Sequence, residues 1–352
     1  MLLISDPEVR QVLSMRDCIE VMERALAEES NGIAVNAPRT RYKVQADLDQ
    51  AGYMATIIPG AVPSCEVASL RYASTIVQER VVNGAKRMNF LSPSKRNWDF
   101  VMLFSLQTGE PLAFIHDYSL SAIRVGATTG VAHRALAKRN SKIVGIFGSG
   151  HQARANLQAI TAVRDIESVK VYSSTKKNRD SFAEEMTQLL KVDVQPVSSP
   201  EAVVKGSDIV MCATNSSQPV FDGKWLEPGQ LVTTLVNTDG VHQRTEADVT
   251  TMLRSDFIVL NSKEAATTNQ QRELLDLIDQ GRFGWEKVCE VGQLITGKHP
   301  GRTSDEQIIY YKSNTGLGIQ FAAAGATIYE ACKKRGLGKE LSTEWFGADL
   351  SE

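Results

Sequence analysis

The chain has 352 residues, a length that predicts two domains with enough material for a sizeable hydrophobic interior. Hydrophobic residues make up 42% and charged residues 23%, and the formal net charge of −2 gives no reason to expect a nucleic acid or an anionic membrane as a partner. Five scattered cysteines, an N-terminus without a cationic leader and the lack of a long apolar run predict a cytoplasmic protein with reduced thiols. The five histidines are equally scattered, so no metal site is predicted.

The first third of the sequence predicts a mostly antiparallel sheet domain with its own helix. Residues 14–30 have apolar side chains at helical spacing, and Ser14 is suited to cap the helix N-terminus. Pro59 and Gly60 are expected to end the second strand. The predicted strands are 39–44, 53–58, 68–77, 100–105 and 112–115.

Arginines within these predicted strands are unusual, because a charge that points into a sheet needs a partner. They are Arg39, Arg41 and Arg71, and Arg124 follows in a predicted helix over residues 119–137. One interpretation places the strand arginines on the solvent face. The other brings one or two of them together on an anionic ligand such as a carboxylate, whose geometry a guanidinium matches.

The stretch KIVGIFGSGHQARANL, residues 142–157, reads as a buried strand, a glycine turn and the opening of a helix. Gly148, Gly150 and Ala153 form a G-x-G-x-x-A pattern, in which the glycines permit a tight turn and close approach of a pyrophosphate. The pattern predicts a dinucleotide site at the helix N-terminus. Three further residues of the turn complete the predicted cofactor contacts: Ser149, His151 and Gln152. The alternative is an ordinary strand-turn-helix with convenient glycines.

The residue after the next strand is expected to read the cofactor ribose. A predicted strand at 169–172 ends at Ser173, where NAD sites usually have Asp or Glu. Hydroxyls and cations follow instead, which favours the 2′-phosphate of NADP(H) over NAD(H). The predicted contacts are Ser173, Ser174, Thr175, Lys176 and Arg179. Alternatively, these residues form only the solvated first turn of a helix.

Helices and strands then alternate, which predicts a doubly wound Rossmann sheet. Two loops follow strand ends at 212 and 236, where open α/β sheets bind ligands. The first supplies Ala213, Thr214 and Asn215 as cofactor contacts, and the second contains Asp239, which either is catalytic or belongs to a plain Asp-Gly turn. A final helix, beginning near residues 315–318, is expected to pack on the first domain.

Several motifs are informative together: residues 38–40 (PRT), 108–113 (TGEPLA), 121–124 (SAIR), the Gly148 turn, and 298–306 (KHPGRTSDE) followed by Lys312 and Ser313. With these motifs, nearly the whole chain resembles the ornithine cyclodeaminase and mu-crystallin family. The resemblance implies an α/β fold with residues 1–118 and about 315–352 as a substrate-binding and dimerisation domain. It implies residues 119–314 as the Rossmann domain.

The resemblance also implies a homodimer built through the sheet domain, a nicotinamide cofactor, and a small amino or imino acid as substrate. Arg39 and Arg124 match the positions that hold a substrate carboxylate, and Ser313 joins the implied cofactor contacts. Asp239 lies at or beside the position of the catalytic carboxylate of the cyclodeaminase.

Two departures from the family pattern bear on the chemistry. Arg71 stands where family members commonly have Lys, and Phe321 follows Gln320 where many relatives have Asp. A guanidinium stays charged at any working pH, so Arg71 can bind an anion or polarise a carbonyl but is a poor acid or base.

The sequence therefore predicts an NAD(P)-dependent oxidoreductase that transfers hydride at the C–N carbon of a small imino or amino acid, as ketimine reductases, amino acid dehydrogenases and opine-like dehydrogenases do. Arg71 and Asp239 are the candidate catalytic residues. One alternative is an ornithine or lysine cyclodeaminase that releases ammonia and recycles its cofactor. The other is a non-catalytic NADPH-binding protein of crystallin type.

Overall fold

A computed structural model describes residues 1–44, 51–82, 85–236, 244–314, 316–345 and 347–348. The chain divides into two compact units. The first comprises Met1–Arg80, Met88–Arg124 and Gly316–Glu352, and the second comprises Val81–Arg87 and Val125–Thr315. Each unit has its own sheet.

The elements before the first long connecting helix build the first sheet, which lies in the first unit apart from residues 81–87. Ser14 caps the second helix, and its side chain accepts a hydrogen bond from the backbone N–H of Asp17 at 3.1 Å, as the sequence predicts. The elements are β1 (Leu2–Ile4), α1 (Asp6–Val12), α2 (Met15–Ser30), β2 (Val35–Asn36), β3 (Thr40–Val44), β4 (Ala51–Val62), β5 (Val67–Val82), β6 (Ala85–Leu91), β7 (Phe100–Ser105) and β8 (Pro111–His116).

The next elements carry the chain through the second unit. The predicted alternation of strands and helices is confirmed here, although the strand expected to end at residue 236 ends at Thr234. Four helices and two strands between residues 249 and 312 were not indicated by the sequence. The elements are α3 (Tyr118–Leu136), β9 (Ile143–Phe147), α4 (His151–Val163), β10 (Ser168–Tyr172), α5 (Lys176–Leu190), β11 (Asp193–Pro196), α6 (Pro200–Val204), β12 (Ile209–Cys212), β13 (Leu231–Thr234), α7 (Val249–Arg254), β14 (Phe257–Leu260), α8 (Lys263–Thr268), α9 (Arg272–Asp279), β15 (Val288–Glu290), α10 (Val291–Ile295) and β16 (Ile309–Lys312).

The chain returns to the first unit with α11 (Gly318–Arg335) and β17 (Lys339–Glu340). In the described residues its sheet runs β17-β1-β8-β7-β5-β4-β2, with β3 on β4 and β6 on β5. Of the pairs along this path and the β3–β4 pair, β1–β8 is parallel and the others are antiparallel. The helix α11 packs on β4 and on α2, which confirms the expected return of the last helix. The predicted mostly antiparallel sheet is thus confirmed.

The expectation that Pro59 and Gly60 end a strand is wrong, since β4 continues to Val62. Pro59 lies between the segments of β4 that pair with β3 and β2, so its missing N–H costs no ladder bond there. Gly60 is required by packing, because a Cβ there would lie 2.4 Å from the carbonyl carbon of Gly318 at the start of α11. The two residues make room for a helix instead of ending the strand.

The second unit is a parallel α/β sheet in the order β11-β10-β9-β12-β13-β16-β14-β15. Every strand pair that the described residues form in it is parallel, and its strands β12, β13, β14 and β16 are buried throughout. The strand order reverses between β9 and β12, and open sheets of this kind bind ligands beyond the strand ends at such a point. The predicted doubly wound fold is confirmed.

Candidate active site

The glycine turn after β9 is built so that only glycine fits its first position. Gly148 has φ +101°, and a Cβ on it would lie 2.2 Å from the carbonyl oxygen of Ala213. Its backbone N–H donates to the carbonyl of Tyr172 at 2.8 Å, so the turn is tied to the end of β10. The ends of β9, β10 and β12 therefore meet at this turn.

The second glycine leaves open space where a cofactor could approach. Gly150 is the N-cap of α4, and an added Cβ would meet no atom within 4 Å. No side chain caps this 13-residue helix, whereas the third position, Ala153, is fully buried. A helix N-terminus with uncapped N–H groups and an open approach fits a pyrophosphate. The remaining turn residues lie around it: Ser149 and Gln152 are half-buried, and His151 is exposed.

The residues predicted to read the ribose lie directly after β10. Ser173 accepts a hydrogen bond at its carbonyl from Nη1 of Arg179 at 3.0 Å, and that guanidinium lies 5.7 Å from the ring centroid of Tyr172. Thr175 is the N-cap of α5, whose first turn contains no acidic residue, and Lys176 in this turn pairs with Asp180 at 2.5 Å. Ser174, Thr175 and Lys176 are exposed. The region is cationic and free of carboxylates at the strand end.

The loop after β12 lies beside the glycine turn. Ala213 is buried and packs against the Gly148 turn, and Asn215 is exposed. Both donors of Thr214 are used internally, since its N–H and its hydroxyl donate to Oε1 of Glu246 at 2.6 and 2.8 Å. Ser313 lies buried after β16 and donates its N–H to the carbonyl of Thr234 at 2.9 Å. Asp239 lies outside the described residues.

In the first unit, Arg124 is a buried cation with several charged neighbours. It is 6% exposed, and its Nη1 donates to Oε1 of Gln320 at 2.7 Å. Burial lowers the pKa of Arg124 to about 10, Asp117 opposes this shift, and Arg71 and Arg39 add to it. Arg71 and Arg39 therefore lie close enough to act on Arg124, which remains charged at neutral pH.

Arg71 is held by two carboxylates. Its Nε donates to Asp117 at 2.7 Å and its Nη2 donates to Asp99 at 2.9 Å, while Asp99 also accepts from the N–H of Ser74 at 3.1 Å. Burial is the largest influence on Asp117 and raises its pKa, although Arg71 and Arg124 oppose the rise. Nη1 of Arg71 makes no hydrogen bond to the described part of the chain, so this nitrogen is the donor that a ligand could use.

Phe321 links two of the arginines. Its buried ring has the guanidinium carbon of Arg124 at 4.5 Å and that of Arg71 at 5.6 Å from its centroid, which is the distance range of cation–π contacts. Arg39 is half-buried, with Nη1 3.4 Å from the Cβ position of Gly316. Arg41 departs from this group, since its Nε donates to the hydroxyl of Thr56 at 3.1 Å.

Sequence reasoning found the arginines and the glycine turn but missed the residues that hold them. Asp99 and Asp117 are far from Arg71 in sequence and reach it through sheet register. No strand or helix pattern in the sequence singled out Glu246. The one local signal is the helix start at Tyr118, directly after Asp117. Within the described ranges no group of acidic, histidine or cysteine side chains could hold a metal ion. No helix there is long and apolar enough to cross a membrane.

Comparison with known proteins agrees with this architecture. The model of the ornithine cyclodeaminase/mu-crystallin family matches residues 1–336. The chain is 32% identical to a Δ1-pyrroline-2-carboxylate reductase of Bacillus cereus over 344 residues, 97% of this chain and 99% of that protein.

Two solved structures share the fold over almost the full length. One is the Thermococcus litoralis Δ1-pyrroline-2-carboxylate reductase in complex with NADH and L-proline, with 27% identity and a TM-score of 0.83 over 97% of this chain and 100% of that one. The other is an archaeal alanine dehydrogenase dimer with bound NAD, with 26% identity and a TM-score of 0.81 over 97% of this chain and 99% of that one.

Proposed function

Because the chain belongs to the ornithine cyclodeaminase/mu-crystallin family, we propose that it reduces Δ1-pyrroline-2-carboxylate to proline with a nicotinamide cofactor. At the level of reaction class, it is an oxidoreductase that acts on small imino or amino acids. The observation that supports this substrate is the full-length similarity to the Bacillus cereus reductase. The buried Arg124, with the partly exposed Arg71 and Arg39, also supports it, since the substrate has one carboxylate.

The reaction balances with one hydride and one proton. The C=N double bond of the ring is reduced, hydride adds to the carbon that bears the carboxylate, and the ring nitrogen takes a proton. A bound nicotinamide supplies the hydride. In this chain Arg124 and Arg39 are the groups that bind the carboxylate, because Arg124 is buried and charged and a guanidinium binds carboxylate through two parallel hydrogen bonds.

Arg71 orients the substrate and supplies positive charge beside it. Its Nε and Nη2 are committed to Asp117 and Asp99, which leaves Nη1 to contact the substrate anion or a polarised atom. A guanidinium does not give up its proton at neutral pH, so Arg71 is not the proton donor. The Asp239 carboxylate remains a candidate for proton transfer on the resemblance alone.

The cofactor residues favour NADPH over NADH. The glycine turn, the uncapped start of α4 and the Ser149 to Ala153 segment would hold the pyrophosphate. Ser173, Ser174, Thr175, Lys176 and Arg179 would hold a 2′-phosphate, because they present hydroxyls, cations and the N-terminus of α5. The nearby carboxylate of Asp180 is paired with Lys176.

The protein is proposed to act as a homodimer joined through the face of the first sheet that lies opposite α11. Tyr72 occupies this face, since neighbouring strand residues alternate and Arg71 points the other way. The hydroxyl of Tyr72 bonds those of Tyr42 and Tyr53 at 2.9 and 2.8 Å, and its ring stacks on Phe100 at 5.6 Å between centroids. None of these aromatic side chains is buried in the described chain, and exposed apolar patches mark interfaces.

Sedimentation tests the dimer. A Tyr72→Glu variant places a charge in this face and should sediment as a monomer, whereas Tyr118→Glu, an exposed tyrosine at the start of α3, should sediment like the wild type. A dimeric Tyr72→Glu variant would contradict this interface. All five cysteines are free, which is typical of proteins in a reducing compartment, so the proposed location is the cytoplasm.

A substrate panel tests the function. Loss of NADPH and NADH absorbance is followed with Δ1-pyrroline-2-carboxylate, with its six-membered homologue, and with pyruvate plus ammonia. The proposal predicts the highest kcat/KM with the five-membered cyclic imine. Ammonia release from ornithine with no net change in cofactor absorbance would instead identify a cyclodeaminase, and cofactor binding without turnover of any compound would identify a binding protein.

A further inference from the structure

A buried carboxylate lies where two central strands of the second unit end. Glu246 is 1% exposed. Its Oε1 accepts from the N–H and the hydroxyl of Thr214, at 2.6 and 2.8 Å, and its Oε2 accepts from the N–H groups of Leu235 and Val236, at 2.8 and 3.1 Å. One side chain therefore joins the end of β12 to the end of β13.

The backbone that carries this side chain is itself fixed. The N–H of Thr245 donates to the carbonyl of Ser216 at 3.2 Å, and the N–H of Val220 donates to the carbonyl of Glu246 at 2.9 Å. These bonds anchor residues 245–246 to the segment that follows β12. The carboxylate consequently reaches both strand ends from a rigid base.

The two strand ends lie beside the glycine turn on the side away from the ribose-reading residues. Ala213 precedes Thr214, and its carbonyl is the atom that a Cβ on Gly148 would meet. Ser173 lies after β10, on the other side of β9 in the strand order. A dinucleotide with its pyrophosphate at Gly148 and one ribose at Ser173 must extend its other half over the ends of β12 and β13.

We propose that Glu246 is a positioning residue that sets the ends of β12 and β13 for the nicotinamide half of the cofactor. This inference rests on the cofactor binding of the proposed function. Glu246 is not a general base, because an ionised carboxylate has about four lone-pair sites and all four are taken by donors of its own chain. It forms no ion pair with a Lys or Arg of the described residues, so backbone and hydroxyl dipoles stabilise its charge.

A second buried charge, that of Lys312, also binds the end of β13. Lys312, which is 1% exposed and pairs with Glu273, donates from Nζ to the carbonyl of Val236 at 3.2 Å. The carboxylate of Glu246 thus fixes the N–H groups of Leu235 and Val236, and the ammonium group of Lys312 fixes the carbonyl of Val236. Burying a charge is costly unless it is hydrogen-bonded. Both of these buried charges make hydrogen bonds to the same short segment, residues 235–236.

The test compares two carboxylates that lie two residues apart. Glu246→Gln keeps the shape but turns an NH2 group toward one pair of N–H or O–H donors, so one strand end loses its acceptor. The control is Asp248→Asn, because Asp248 accepts from Thr251 and Gly223 and caps α7, away from both strand ends. The NADPH dissociation constant is measured by fluorescence without substrate, together with Tm, kcat and KM.

Both variants should lower Tm. Glu246→Gln alone should raise the NADPH dissociation constant on the order of ten-fold and lower kcat, with the KM for the imino acid unchanged. Equal NADPH affinity in Glu246→Gln and the wild type would overturn the inference and leave only a structural role. If Glu246→Gln does not fold, Thr214→Val removes one of the four bonds and should weaken NADPH binding a few-fold, and unchanged binding would overturn the inference as well.

The readout separates the two proposals. If the wild type binds NADPH but does not reduce the cyclic imine, the proposed substrate is wrong while the Glu246 comparison still decides the inference. If the wild type binds no nicotinamide cofactor, both are overturned.

Discussion

The two units carry candidate anion sites of opposite construction. In the second unit, the turn from Gly148 to Ala153 offers uncharged backbone N–H groups at the start of α4, and its shape depends on glycines. In the first unit, Arg124 and Arg71 are full charges that need Asp117, Asp99 and Gln320 around them. The backbone N–H groups at a helix start bind an anion without any buried charge of the protein. Buried guanidinium groups, in contrast, need carboxylates or other acceptors around them.

The difference determines which kind of substitution each site tolerates. A turn made of backbone fails when a side chain fills it, and a charge cluster fails when one member loses its partner. Variants of the turn should therefore change cofactor parameters, and variants of the cluster should change substrate parameters. The following substitutions test that separation, beginning with the largest expected effect.

Gly148→Ala should cost about 3 kcal/mol of stability and abolish NADPH binding, because the residue has φ +101° and its Cβ would lie 2.2 Å from the Ala213 carbonyl oxygen. Gly150→Ala is the matched variant, since its Cβ meets no atom within 4 Å. It should keep the wild-type Tm and weaken NADPH binding by obstructing the cofactor. A Gly148→Ala protein with normal Tm and affinity would show that the turn is not a dinucleotide cradle.

Arg71→Lys should weaken substrate binding by about 1 to 3 kcal/mol, because an ammonium group cannot bridge Asp117 and Asp99 in the way the guanidinium does. The KM for the cyclic imine reports this, and the NADPH dissociation constant should not change. New turnover of ornithine would favour the cyclodeaminase alternative. Unchanged values of both parameters would exclude Arg71 from the substrate site.

Two buried groups, one in each unit, should respond to acid with opposite sign. Burial lowers the pKa of His133, in the second unit, to about 3 from its ordinary 6.5. The unfolded chain then takes up a proton that the folded chain refuses, so stability is full above pH 6.5 and falls by about 1.4 kcal/mol per pH unit down to about pH 3. The pKa of Asp117 is raised by burial, so protonation in acid favours the folded first unit.

Urea unfolding at several pH values checks this prediction. His133→Gln should flatten the loss of stability between pH 6 and pH 4. Parallel profiles for wild type and His133→Gln would mean that His133 is not buried in its neutral form.

Ser173→Asp should shift the ratio of kcat/KM values from NADPH toward NADH by about ten-fold, equivalent to about 1.4 kcal/mol. The new carboxylate would repel the 2′-phosphate and accept from a ribose hydroxyl. Ala162→Asp places the same charge on an exposed residue near the C-terminus of α4 and should leave the ratio unchanged. An unaltered ratio in Ser173→Asp would remove the basis for the NADPH preference.

Local patterns in the sequence predicted the parts of this molecule whose causes are local. The strand β9, its glycine turn and the cap at Ser14 depend on residues a few positions apart, and all three predictions are confirmed. The continuation of β4 through Pro59 was not predictable, because it depends on a gap between two partner strands and on the start of α11. The place of β16 between β13 and β14 depends on strand order, which no local pattern encodes.

The candidate site follows the same rule. The three arginines of the site are recognisable in the sequence as charges within apolar segments. Their neighbours in the structure, Asp99, Asp117 and Phe321, could not be identified from the residues near them in sequence. Glu246 binds two strand ends that lie 32 and 11 residues before it. Such partners are fixed by sheet register and packing, which a single sequence does not supply.

Transfer of deuterium tests the proposed reaction most directly. The protein is incubated with Δ1-pyrroline-2-carboxylate and NADPH that carries deuterium on the transferring face of the nicotinamide ring, and the product is examined by mass spectrometry and NMR. Reduction of the cyclic imine predicts proline with one deuterium on the carbon that bears the carboxylate, formed in equal amount to NADP⁺. Proline without deuterium, or oxidation of the cofactor without proline, would contradict the proposed function.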